Sequence, residues 1–216
     1  MPRITRNPEE IEKTKNKILD AALAILFEEG FDDLSMRKLG RKLGMTAPNI
    51  YNYYSSKDEL YLVIQTIGFE RICQRFEKIT SMHTLPIHQF SALVDAYLAF
   101  GMSNPDYYSI MFSRNTPKYT DYIGTKLEPI AFKEKKAALK VADLVTSVIR
   151  RLARENSRIQ EQDAAYHTIQ VWTSLHGIVS LYYTRVLQEL DENVEMTINR
   201  LKSDMVQSFG PEKTVT

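Results

Sequence analysis

Residues 35–60 run SMRKLGRKLGMTAPNIYNYYSSKDEL, and this stretch decides the fold. Ser35 can cap one short helix, and Gly44 can end it. Thr46 can then cap a second short helix that reaches about Tyr54. The stretch therefore predicts two short helices joined by a tight turn.

Helical patterns continue on both sides of this stretch. Before it, an apolar stripe that ends at Gly30 predicts a first helix over about 9–29. After it, Ser56 and Glu59 fit a capping box that opens a long fourth helix. The chain is therefore predicted to be all-α. The remaining long helices are predicted at about 131–154, 160–187 and 194–209.

Composition and charge exclude several classes of protein. Hydrophobic residues make up 44% of the chain and charged residues 25%, which is typical of folded globular proteins. The longest unbroken apolar stretch is Ala21 to Phe27, far below the ~20 residues that span a membrane. A polar start without a signal-peptide core and a single cysteine, Cys73, favour a reducing compartment. We therefore expect a cytoplasmic protein that needs no membrane, cofactor or metal.

Positive charge is concentrated on the two short helices. The net charge of the whole chain is only +1. Between Leu34 and Lys57, however, there is no acidic residue, and the basic ones are Arg37, Lys38, Arg41, Lys42 and Lys57. Such a window is the electrostatic footprint expected where DNA phosphates are contacted, although a solvated helix face would look the same.

The second short helix has a face suited to the major groove. Ile50 and Tyr54 are four residues apart and can face the core, which leaves the other positions outside. Small residues permit close approach to bases, amides can bond base edges, and phenols can donate to backbone oxygens. The outward positions are Ala47, Pro48, Asn49, Tyr51, Asn52 and Tyr53.

The stretch from Ile18 to Leu60 resembles the DNA-binding domain of the TetR family of bacterial transcriptional regulators. The shared pattern is an alanine-rich first helix, a Gly-Phe turn, a Ser or Thr cap and a recognition helix ending in Tyr-x-Tyr-Tyr. Gly40 and Pro48 depart from it, since the family usually has alanine and often glycine there. The resemblance implies DNA contacts, mostly to phosphates, at Ser35, Thr46, Tyr51, Tyr53 and Lys57. With the outward positions and Arg37, the predicted DNA-binding set is Ser35, Arg37, Thr46, Ala47, Pro48, Asn49, Tyr51, Asn52, Tyr53 and Lys57.

The C-terminal half resembles a TetR subgroup with a Trp and a His-Gly pair on the penultimate helix, here Trp172, His176 and Gly177. His176 fits a core histidine better than a metal ligand. The helix over 172–187 is apolar on more than one face, and a second stripe follows at Val194, Ile198, Leu201, Met205 and Phe209. Both predict a homodimer. The predicted effector pocket consists of Tyr108, Met111, Phe112, Trp172 and His176, each of which fits ordinary core packing as well.

The resemblance to the TetR family implies a ligand-responsive transcriptional regulator, most often a repressor. The absence of a catalytic motif argues against an enzyme. Residues 1–78 would bind a near-palindromic DNA operator as a homodimer. Residues 79–216 would bind a small-molecule effector, which releases the DNA, and dimerise. A helical protein-protein adaptor is the alternative, and it would show no salt-dependent affinity for duplex DNA.

Overall fold

The computed structural model describes residues 7–31, 33–113 and 116–210, and confirms an all-helical fold with no strand in these ranges. The polar first six residues, on which the expected location partly depends, lie outside them. None of the helices in the described ranges combines the length and apolar character needed to cross a bilayer.

Ten α-helices account for most of the described residues, and the two short helices lie where the sequence predicts them. A π-helical turn, Ser109–Ser113, follows the sixth helix, and 3-10 turns occupy Tyr119–Tyr122 and Glu161–Asp163. The helices are α1 Pro8–Glu29, α2 Met36–Leu43, α3 Ala47–Tyr51, α4 Lys57–Met82, α5 Pro86–Ser103, α6 Pro105–Tyr108, α7 Glu128–Ala153, α8 Ala164–Tyr183, α9 Val186–Leu190 and α10 Val194–Phe209.

The chain forms two compact units that do not follow one another along the sequence. The first unit combines Met1–Gly68 with Pro105–Lys135, and the second combines Phe69–Asn104 with Lys136–Thr216. The predicted DNA-binding domain over 1–78 and the predicted effector-binding and dimerisation domain over 79–216 stay predictions.

The first unit packs the segment after α5 onto the N-terminal half of α4. The buried Gln65 amide donates to the Ile110 carbonyl oxygen over 2.9 Å and to the Thr116 hydroxyl over 3.0 Å. Met111 lies over Gly68, where a Cβ would stand 2.3 Å from the methionine sulfur. These buried contacts tie the segment after α5 to α4, within the compact unit that also holds the first three helices.

The second unit is built around α5, α8 and α10. Phe90 of α5 packs on Phe209 of α10 with ring centroids 4.7 Å apart. The Tyr183 hydroxyl at the end of α8 donates to the Gly101 carbonyl oxygen of α5. These contacts fix both ends of the α5 face.

Two predicted helices end earlier than their sequence patterns suggest. The helix predicted to reach Tyr54 ends at Tyr51, because the N–H of Tyr53 bonds three residues back to Ile50 and tightens the turn. The helix predicted to reach Leu187 ends at Tyr183, because Arg185 adopts φ 60° and a short new helix follows. Apolar periodicity alone does not detect such a break.

Candidate nucleic-acid interface

The first short helix, α2, is capped at both ends by the predicted residues. The Ser35 oxygen accepts the Lys38 N–H over 3.2 Å, and Gly44 ends the helix with φ 64°. Ser35 is exposed, and its hydroxyl proton is not used in the cap bond, so it can donate to a phosphate oxygen. The cap therefore positions a predicted phosphate contact.

The structure explains why Gly40 stands where the TetR pattern usually has alanine. A Cβ at this position would stand 2.6 Å from the Met45 carbonyl oxygen and 3.3 Å from the Ala47 nitrogen. Both atoms are backbone, so neither can move without shifting the turn that leads into α3. Glycine at this position lets α3 lie closer to α2 than an alanine would allow.

The second short helix, α3, buries one face and exposes the other, as predicted. Ile50 is fully buried, and Tyr54 just beyond the helix is 3% exposed, with burial raising the pKa of its phenol. Tyr51, by contrast, is 52% exposed. Among the predicted contacts, Thr46, Pro48 and Asn52 are also exposed, whereas Ala47, Asn49 and Tyr53 are half-buried.

Thr46 stands at the N-cap position of α3, but its hydroxyl makes no cap bond. Pro48 occupies the second helical position and has no N–H to donate, and the Asn49 N–H bonds the Thr46 carbonyl instead. The Thr46 side chain is thereby left for an external partner. Beside it, the Asn52 amide donates to the Asn49 side-chain oxygen over 3.4 Å, which orients one amide against the other.

Not all of the basic window is available to DNA. Lys38 pairs with Glu29 and, over 3.0 Å, with Asp33, and the hydrogen bond to Glu29 is the main reason that the pKa of Lys38 is raised. Lys42 pairs with Glu28 over 2.7 Å. These lysines attach α2 to α1 and the turn after it.

Two arginines supply the outward charge of α2. Arg37 and Arg41 are both exposed, and neither has an ion-pair partner in the part of the chain that the structure describes. Because they are four residues apart, they share one face of the helix. Arg41 was not among the predicted contacts, although its spacing from Arg37 was visible in the sequence.

Lys57 lies at the first position of α4 and is held by two aromatic rings. Its ammonium is 5.3 Å from the ring centroids of both Phe31 and Tyr61, and the two rings stack 4.6 Å apart. Ser56 caps this helix by accepting the Glu59 N–H over 3.1 Å. The Glu59 carboxylate accepts the backbone N–H of Ser55. A standard capping box would use the N–H of Ser56, one residue later. Cation–π contacts thus fix the lysine beside a helix N-terminus.

The predicted effector residues fall in both compact units. Tyr108 and Met111 are buried in the first, where Tyr108 also packs on Phe112 with ring centroids 4.9 Å apart. Trp172 and His176 are half-buried in the second, and burial lowers the pKa of His176. Within the described ranges, no group of three or more His, Cys, Asp or Glu residues could hold a metal ion. The effector site stays a prediction.

Comparison with known proteins identifies the family. The model of bacterial regulatory proteins of the tetR family matches residues 18–64, and the model of the tetracyclin repressor-like C-terminal domain matches residues 90–205. The chain belongs to the TetR family. This membership places it among regulatory proteins and not among enzymes, and it favours a regulator over the adaptor alternative.

Individual TetR relatives are distant in sequence. An uncharacterized HTH-type transcriptional regulator of Mycobacterium tuberculosis is 23% identical over 85% of this chain and 77% of its own length. A solved tetR-family regulatory protein from Rhodococcus RHA1 is 13% identical, covers 93% of this chain and 99% of its own, and has a TM-score of 0.68. A Rhodococcus protein of unknown function reaches a TM-score of 0.72 at 18% identity, covering 96% and 98% of the two chains. The structural matches show that the TetR fold extends over nearly the whole chain.

Proposed function

We propose that this TetR-family chain is a transcriptional repressor that contacts operator DNA through α2, α3 and the start of α4. One observation carries the proposal: the predicted contacts Ser35, Thr46, Tyr51 and Asn52 are exposed in and beside the two short helices. Arg37 and Arg41 of α2 are exposed as well, and neither pairs with a carboxylate of the described residues. Lys57, held at the start of α4, adds a cation suited to a phosphate. Phosphate contacts of this kind supply most of the affinity, and α3 supplies base recognition.

The repressor is proposed to act as a homodimer that uses the second face of α8. Ile169 is 64% exposed and Leu181 41% exposed, and a Cβ added at Gly177 would meet no atom of the described chain within 4 Å. A glycine on an apolar, uncovered helix face suits close approach by the partner copy's helix. A two-fold dimer would double the site and make the operator near-palindromic.

The stripe predicted on α10 contributes less to this proposed interface than its sequence suggests. Phe209 is buried against Phe90 within the unit, and Val194, Ile198 and Met205 are half-buried. Leu201, by contrast, is 41% exposed. Leu201 is therefore the member of the stripe best placed to meet a second copy.

A small-molecule effector is proposed to release the DNA by favouring a conformation that does not fit the operator. Tyr108, Met111, Phe112, Trp172 and His176 remain its proposed contacts. We also propose that the chain belongs to the TetR subgroup with a Trp and a His-Gly pair on the penultimate helix. The residues that support this are Trp172, His176 and Gly177.

The function is tested by identifying the DNA sites bound across the genome and measuring transcripts from the adjacent genes with and without the protein. We expect near-palindromic sites and transcripts that rise when the gene is deleted. Transcripts that fall instead would contradict repression, and bound sites without two-fold symmetry would contradict the dimer.

The dimer is tested separately by sedimentation of Gly177→Leu beside Gly177→Ala. Leucine should separate the copies and abolish operator binding, whereas alanine should preserve both. A wild-type protein that sediments as a 25.0 kDa monomer at micromolar concentration would refute the dimer.

A further inference from the structure

A groove in the second unit has features of a ligand site that DNA binding does not use. It lies between α5 and α10 and has a volume of about 550 Å3, which is within the ~300–1,000 Å3 typical of small-molecule sites. Tyr182, near the end of α8, adds an aromatic ring to the lining. The apolar part of the lining consists of Leu98, Met102, Val194 and Ile198.

One ion pair joins the two helical walls of the groove, since Asp95 of α5 and Lys202 of α10 lie 2.6 Å apart. The start of α10 is fixed locally, because the Asp191 carboxylate accepts the Asn193 N–H over 2.8 Å and also the Thr197 hydroxyl. Walls that are already ordered lose less conformational entropy when a ligand enters.

The charge of the groove favours a cationic ligand. Asp95 and Glu195 both line it, but Lys202 is the only lysine or arginine in the lining. Since Lys202 is already paired with Asp95, the exposed Glu195 carboxylate remains without an ion-pair partner in the described residues. An anionic ligand would therefore be repelled by one uncompensated negative charge, which a cation would neutralise.

We propose that this groove binds a small organic cation with an apolar body. The cationic group is stabilised by Glu195 and by Tyr182, since aromatic rings attract quaternary ammonium groups. The apolar body lies on Leu98 and Ile198, and its removal from water supplies the remaining affinity.

The groove uses a side of α10 next to the one that is proposed to meet a second copy. Glu195, Asn199 and Lys202 follow one another at helical spacing and share one side of α10. Leu201 is three residues from the groove-lining Ile198 and therefore adjoins the groove. Glu195, whose charge the proposed ligand needs, lies about 120° around the helix from Leu201.

Binding is tested on the full chain without DNA by titrating phenyltrimethylammonium against protein carrying 13C-methyl methionine. The Met102 methyl signal, assigned with Met102→Leu, should shift and saturate, whereas the Met111 signal in the first unit should stay unchanged. The neutral isostere tert-butylbenzene should bind at least about threefold more weakly, because it lacks the charge that Glu195 and Tyr182 attract.

Glu195→Gln should weaken binding of the cation about threefold and leave the neutral compound unaffected. Glu192→Gln is the matched control, since Glu192 is exposed near the same helix but does not line the groove. Ile198→Trp, which fills the groove, should abolish the Met102 shift; if this variant unfolds, the surface variant Glu195→Gln decides the matter. Equal affinity for the two isosteres, a shift that never saturates, or equal effects of Glu195→Gln and Glu192→Gln would each overturn the proposal.

Discussion

Replacing Lys57 by alanine should reduce the salt dependence of operator binding by an amount that the structure fixes. Lys38 and Lys42 are paired with carboxylates, which leaves Arg37, Arg41 and Lys57 to neutralise phosphates. Each phosphate contact changes the slope of log K against log salt by about 0.9. Three cations on each chain of a dimer therefore predict that log K falls with log salt with a slope of about −5 for this surface.

Lys57→Ala removes one contact from each chain, so the slope should become less steep by about 1.8 for a dimer and about 0.9 for a monomer. The assay is fluorescence anisotropy of a labelled operator between about 50 and 300 mM salt. Lys42→Ala is the matched control, because its ammonium is held 2.7 Å from Glu28. This control should weaken binding by exposing the Glu28 charge while leaving the slope nearly unchanged.

Circular dichroism must show that both variants keep the wild-type fold. An unchanged slope for folded Lys57→Ala would remove Lys57 from the phosphate contacts. A slope change for Lys42→Ala as large as that for Lys57→Ala would show that the Glu28 ion pair opens on DNA. In that case, the number of unpaired cations in the free protein would not predict the salt dependence of operator binding.

Three further predictions concern stability. Gly40→Ala should lower the free energy of unfolding in urea by about 1 kcal/mol, because a Cβ 2.6 Å from the Met45 oxygen costs more than the gain in helix propensity. A more stable variant would contradict the close approach of α2 and α3 at Gly40. Arg185→Gly should raise the melting temperature, since φ 60° strains any residue with a Cβ, and an unchanged or lower value would contradict that strain. Burial lowers the pKa of His176, so protons bind the unfolded chain more tightly, and stability should fall as pH drops below about 6.5. His176→Gln should flatten that slope, and an equal slope would assign the effect to other groups.

The local signals in the sequence were enough to predict the two short helices α2 and α3. Ser35 and Gly44 act on backbone groups within four residues of themselves, so their caps could be predicted without tertiary information. The buried positions Ile50 and Tyr54 followed from helical spacing in the same way. The early end of α8 at Tyr183 did not, because neighbouring apolar residues continue the pattern past the break at Arg185.

Contacts between distant segments could not be predicted from local patterns. Nothing near Gln65 in sequence indicates that its amide bonds Ile110 and Thr116, or that the segment after α5 belongs to the same compact unit as the first three helices. The role of Gly40 is similar, because the atom that excludes a side chain belongs to the backbone of the following turn. Packing partners of this kind are set by the tertiary fold.

The number of basic residues in the stretch from Leu34 to Lys57 is larger than the number whose charge is available to DNA. In α2, positions 37 and 41 share one face, and positions 38 and 42 share a face rotated by about 100°. The second face meets Glu28 and Glu29 of α1, and its lysines form surface ion pairs that tie α2 to α1. The first face carries arginines, whose planar guanidinium groups can hold a phosphate with two parallel hydrogen bonds. One short helix therefore uses lysine to fix its own position and arginine to reach outward, and we expect only the arginines of this helix to contribute to the salt dependence of DNA binding.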